Sequence, residues 1–286
     1  MKIKILFCLA AATLLFAGPS LHAQPTNGPT PTQIQLRALV QQVQAKVDAG
    51  KNSEADFADE LKAFDRLIAS ETTTNADAAA QVAYMKGVLY LQIIKNYDQA
   101  AKIFRQIKAD YPDTKYGQNA DKVLGIIEKQ AAAQKIQDSL ASGAVFPDFA
   151  EKDLNGQPLS VGALKGKVVL VDFWATWCPP CRAELPNVIA TYKKYHSQGF
   201  DIIGVSLDGQ REKLESFLKD HPDMTWPQFF DGKGEDEPNW SNKLAVKYGV
   251  EAIPFTVLIG SDGKILGKDL RGEALETAVG AAVAKK

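Results

Sequence analysis

"VDFWATWCPPCRAELP", Val171 to Pro186, is the stretch whose reading decides the fold. Lys167–Trp174 is a near-continuous apolar run, as expected of a strand buried on both faces. Pro179 to Ser197 reads as a helix. Cys178 and Cys181 therefore sit where a core strand hands over to a helix. A thiolate at Cys178 faces the positive end of that helix and nearby backbone N–H groups, which favour it. Cys181 lies one turn inward, where it can attack a disulfide formed by Cys178. One thiol attacks and the other resolves, so the pair is a two-electron switch carried on a helix start.

Other uses of the pair fit less well. A disulfide across a two-residue gap closes almost no loop and stabilises little. A structural zinc site needs four ligands, and no second cysteine pair exists. His196 falls at a helix end and His221 precedes Pro222, so both read as surface or boundary residues. Neither a metal nor another cofactor is expected.

The N-terminus reads as an export signal. Lys2 and Lys4 precede an apolar run, Ile5–Ala17, too short to span a bilayer comfortably. Gly18, Pro19 and Ser20 break it, and Leu21-His22-Ala23 ends on a small residue. Cleavage after Ala23 removes Cys8 and His22 and leaves Cys178 and Cys181 as the only cysteines. The expected location is periplasmic or otherwise extracytoplasmic; an uncleaved anchor is the alternative. The formal net charge of −1 gives no electrostatic case for nucleic-acid binding.

Residues 24–32, "QPTNGPTPT", read as a disordered leader. Residues 33–141 read as all-α. Apolar stripes recur at Leu36, Val40, Val43 and Val47, at Phe57, Leu61, Phe64 and Ile68, and at Val82, Met85, Leu89 and Ile93. Two more follow, at Ala100, Phe104, Ile107 and Tyr111 and at Val123, Ile127 and Ala131. Five helices in antiparallel hairpins are expected, with Ser53 as an N-cap. Asn96–Thr114 resembles the second half of a tetratricopeptide repeat, with Ala100, Phe104 and Pro112 at that family's spacing. Only one repeat is detectable, so this region is either a protein-docking surface or a helical spacer.

The pattern changes near Ser142-Gly143, and residues 142–286 read as an α/β domain with helices on both faces of a sheet. Asn155-Gly156 and Asp262-Gly263 mark hairpins. Phe200–Leu207, Phe255–Ile259 and Lys264–Leu270 read as strands. Arg211–Asp220, Ser241–Tyr248 and Glu273–Ala284 read as helices. Phe229–Trp240, "FFDGKGEDEPNW", reads as an acidic solvated loop, with a partner-facing surface as the alternative.

"VDFWATWCPPCRAELP" resembles the active site of thioredoxin-fold proteins, and "WCPPCRAELP" resembles the TlpA/ResA branch of exported thiol:disulfide oxidoreductases. The likeness runs from about residue 145 to the end and includes the hairpin "FPDFAEKDLNGQPLSVGALKGKVVLV". It implies a thioredoxin-like fold, with Cys178 as nucleophile and Cys181 as resolving thiol. Pro254 matches the cis-proline facing the cysteines, and the Ile253 backbone beside it could pair with an extended substrate. Asp172 matches the buried acid of thioredoxin, a departure from much of the TlpA/ResA branch. Burial in an apolar strand should raise its pKa and make it a proton acceptor for Cys181. Glu184 matches an acid of the branch. Trp177, Pro179 and Pro180 are expected to face the substrate.

The function expected is reduction of protein disulfides through Cys178–Cys181. Protein thiol or disulfide clients and a membrane thiol electron donor are the implied partners, and cytochrome c maturation is one pathway the resemblance suggests. A thiol peroxidase on a related fold is a second class, but its nucleophile has no partner two residues away. A docking protein built on the helical region is a third, against which the intact cysteine pair argues.

Overall fold

The computed structural model describes residues 28–72, 75–232 and 238–285. The expected signal, the first part of the leader and the middle of the acidic loop lie outside the described residues. The chain forms two compact units, the first ending at Gln130 and the second beginning at Ala131.

Helices build the first unit: α1 (Pro31–Asp48), α2 (Ala58–Glu71), α3 (Ala76–Leu89), α4 (Tyr97–Asp110), α5 (Lys115–Gln118) and the start of α6 (Ala120–Ser139). Thr30 and Gln33 cap α1 reciprocally, and Pro31 opens it. The end of the expected leader is thus helical, because proline is pre-set for the first helical turn. Apart from Ala131, the five stripes close into one core around Phe57, Phe64, Phe104 and Ile107, with α1 to α5 packed consecutively. Ser53 exchanges hydrogen bonds with Asp56 and starts a 3-10 turn, Ala55–Phe57, ahead of α2. The chain leaves α3 through a widened turn, Tyr90–Ile94, and a left-handed Lys95, after which Asn96 caps α4. The short α5 was not foreseen, since one turn carries no periodicity.

In the second unit, a small hairpin pairs β1 (Glu151–Lys152) with β2 (Pro158–Leu159) around Asn155-Gly156. The main sheet comprises β3 (Val168–Trp174), β4 (Phe200–Ser206), β5 (Gln228–Phe229), β6 (Phe255–Ile259) and β7 (Ile265–Lys268), in the order β5-β4-β3-β6-β7. β3, β4 and β5 run parallel, while β6 and β7 are antiparallel. Every residue of β3 and β4 is buried, as the apolar runs required. Phe229, placed by sequence in the acidic loop, instead lies buried in edge strand β5. A two-residue strand has no period to recognise.

Helices α7 (Pro179–Tyr195) and α8 (Arg211–Asp220) are crossovers that advance in one direction along the sheet. Right-handed crossovers of that kind fall on one face. Trp174 meets Phe217 of α8 there, and α10 (Gly272–Ala284) packs on α7. On the other face Phe173 meets Tyr248, just after α9 (Lys243–Lys247), and Tyr248 stacks on Phe146. The compositional change at Ser142 is not where this core begins. Leu140 is fully buried within it, and Gln137 donates to the Gly249 carbonyl at 2.7 Å.

Candidate active site

Cys178 is the N-cap of α7 and is joined to Cys181 in a disulfide, with Cα atoms 5.3 Å apart. Pro179 and Pro180 occupy the first helical positions, exposed, and offer no N–H. The Cys181 N–H, 3.2 Å from the Cys178 sulfur, is the donor that reaches it. Both cysteines are buried in this disulfide form, so exposure does not separate them. Their surroundings do. Cys178 Sγ lies 3.8 Å from the Ile253 carbonyl oxygen, while Cys181 lines a small cavity on the inner side.

The Ile253–Pro254 bond is cis and stands immediately before β6. Ile253 lies beside Cys178, and Pro254 lines the cavity. That cavity holds about 10 Å³, near the least that admits one water. Asp172, Cys181, Glu184, Pro254, Thr256 and Arg271 line it.

Asp172 is central in β3, opposite Gly204 of β4 on one side and Thr256 of β6 on the other. Burial is the main cause that pushes its carboxyl up to about 7, and the charge of Glu184 adds to it. Arg271 opposes both. Glu184 is half-buried on α7; its Oε1 accepts from the Gly272 N–H at 2.6 Å and its Oε2 from Asn187 at 3.2 Å. Trp177 is half-buried against the core, and its indole N–H meets no acceptor among the described residues.

Two groups escaped the sequence reading. Asp208, two residues beyond β4 and fully buried, accepts from Thr176 Oγ1 at 2.6 Å, Thr176 N at 3.2 Å and Ser206 Oγ at 2.7 Å. It thereby pins the loop that carries Trp177 and Cys178. An acid just past a buried, mostly apolar strand was the available signal. Arg271 donates to the Pro254 carbonyl at 2.5 Å, and nothing in its local sequence announces that contact. Among the described residues no cluster of potential metal ligands occurs.

A dithiol–disulfide pair at a strand-to-helix junction, facing a cis-proline and backed by a buried acid, defines a thioredoxin-like thiol-disulfide oxidoreductase. Residues 141–282 match the Redoxin family model. The thiol-disulfide oxidoreductase ResA of Bacillus thuringiensis subsp. konkukian is 32% identical over 137 residues, 48% of this chain and 73% of the relative. ResA of Bacillus subtilis is 31% identical over 130 residues, 46% of this chain and 68% of the relative. The solved thioredoxin domain of a Bacteroides vulgatus thiol-disulfide oxidoreductase is 33% identical, with a TM-score of 0.44, and the match covers 50% of this chain and 98% of that one. The chain belongs to the ResA-type family of thioredoxin-like thiol-disulfide oxidoreductases.

Proposed function

We propose that the protein is exported and reduces protein disulfides outside the cytoplasm. The Cys178 thiolate attacks a client disulfide; a Cys178–client bond forms and one client thiolate leaves. Cys181 then gives its proton to Asp172 and attacks the Cys178 sulfur. The internal disulfide forms, and the second client sulfur departs and takes up a proton. Two electrons pass to the client, and a membrane dithiol donor returns the enzyme to its reduced form by the reverse exchange. The observation that carries this reading is the shared cavity of Asp172 and Cys181, which excludes Cys178. It gives the resolving thiol its own base.

The direction rests on the proline pair. With Pro179 and Pro180 at the helix start, the Cys178 thiolate receives few backbone donors, so its reduced form is held less firmly than in strong oxidants. The export reading rests on Lys2, Lys4 and the apolar run that follows them. The helical region is proposed as a docking module, on the tetratricopeptide-like spacing of Ala100, Phe104 and Pro112.

The test is Cys181→Ala expressed with its own N-terminus in a bacterial host. Client proteins trapped through Cys178, in an extracytoplasmic fraction whose chain begins at Gln24, are expected. A chain beginning at Met1 sinks the cleavage, and an absence of adducts sinks the division of labour between the thiols.

A further inference from the structure

The segment from Asp269 to Gly272 is laced to the redox site at every residue. Asp269 N–H donates to the Thr256 carbonyl at 2.9 Å, and Thr256 Oγ1 donates to the Leu270 carbonyl at 3.2 Å. The Arg271 guanidinium donates to the Pro254 carbonyl, and the Gly272 N–H donates to Glu184. One corner thus holds β6, the proline loop and the acid on α7. Arg271 also lines the cavity shared by Asp172 and Cys181.

We propose that Arg271 is a positioning residue of the redox site: its guanidinium ties down the Pro254 carbonyl and supplies the positive charge that balances Asp172 and Glu184 beside Cys181. Charge bookkeeping around the cavity supports this. α7 presents Cys181 and Glu184 to Asp172, the flanking strands present Gly204 and Thr256, and the corner before α10 presents Arg271. Among the described residues, Arg271 is the only basic one in that lining. Its remaining acidic neighbour, Asp269, is 3.6 Å away, beyond hydrogen-bond reach. The competing account is an ordinary surface pair with Asp269, worth little. That account gives Arg271 no influence on Asp172.

The inference rests on Asp172 acting as proton acceptor for Cys181. A nearby cation favours the ionised carboxylate, so Arg271 widens the pH range in which Asp172 can accept that proton. The Arg271 side chain is 42% exposed, which screens its charge and limits the effect.

The experiment uses the reduced full-length protein and an aromatic disulfide. Attack by Cys178 releases one coloured thiolate, and resolution by Cys181 releases the second, so the two steps appear as separate phases. Both are followed from about pH 5 to about pH 9, a span that brackets the base. Arg271→Gln keeps hydrogen-bond donors and removes the charge. It is expected to move the midpoint of the second phase upward, slowing that phase at neutral pH by about threefold to tenfold. Arg271→Lys should hold the midpoint near that of the parent. Glu184→Gln, which removes the opposing charge, should move it downward. On an Asp172→Asn background the effect of Arg271→Gln should vanish.

An unmoved midpoint in Arg271→Gln, or a shift that persists without Asp172, overturns the proposal. If Asp172→Asn leaves the parent profile intact, the proton-acceptor reading itself fails, and that result is separate from the Arg271 comparison.

Discussion

Asp172 on β3 lies directly opposite Thr256 on β6, two residues beyond Pro254. Residues directly opposite in an antiparallel pair share a face, so this register places the buried acid beside the strand that the cis-proline begins. On its other side Asp172 faces Gly204, over which the Gln228 amide lies: a Cβ at Gly204 would come within 2.0 Å of Gln228 Oε1. The same amide oxygen accepts from Trp174 Nε1 at 3.0 Å. The acid is thus framed across the sheet by uncharged groups, and α7 covers it with Cys181 and Glu184.

Asp172→Asn is expected to slow resolution of the mixed disulfide near neutral pH while affecting initial attack less. The two-phase assay reads both steps, and equal slowing of the two would refute the role.

The same residue sets a pH dependence of stability. Its folded-state pKa, about 7, lies above the ordinary 3.8, so between these values the folded protein binds more protons than the unfolded one. Stability therefore falls as pH rises through that window. Asp172→Asn should be the more stable protein above neutrality, by on the order of a few kcal/mol, with the advantage fading towards pH 4. Urea unfolding at several pH values checks this; an advantage that grows on acidification has the wrong sign.

The reduction potential should be more negative than about −200 mV, on the reducing side of the range for such proteins. Equilibration with glutathione or dithiothreitol measures it. A value near −120 mV would mark an oxidase of thiols.

Asp208→Ala should cost about 1–3 kcal/mol, because the buried Ser206 and half-buried Thr176 donors lose their acceptor. It should also lower reductase turnover by loosening the loop before Cys178. Unfolding curves and an insulin-reduction assay test the two parts, and unchanged values in both would remove Asp208 from the site's support.

A fragment of residues 131–286 should fold and keep its redox activity, since it contains Leu140 and Gln137 as well as the dithiol. Leu140→Ala in that fragment should destabilise it by about 2–5 kcal/mol. Circular dichroism and thermal melting decide both. An unfolded fragment would show that the second unit depends on the first.

Much of this protein is legible in local sequence. Lys167–Trp174 announces a two-sided buried strand, Asn155-Gly156 and Asp262-Gly263 announce turns, and the stripes from Leu36 to Ile127 announce helices. Each signal is a period or a turn preference expressed within a few residues. Cys178, Cys181 and Pro254 are legible too, because their spacing and context carry the family resemblance. The short elements α5 and β5 were missed for the complementary reason, having too few residues to show a period.

From its sequence alone this chain determined a helical segment, an α/β redox domain and a dithiol at a helix start. Only the tertiary structure decided what surrounds that dithiol. Gly272 meets Glu184 across 88 residues of chain, Thr176 meets Asp208 across 32, and Arg271 reaches Pro254 across 17. Such contacts depend on strand register and on how helices seat against the sheet, which no local pattern encodes. The titration of Asp172 follows the same logic. The sequence placed an acid in an apolar strand, but the balance of Glu184 against Arg271 exists only once α7 and the corner before α10 converge on one cavity.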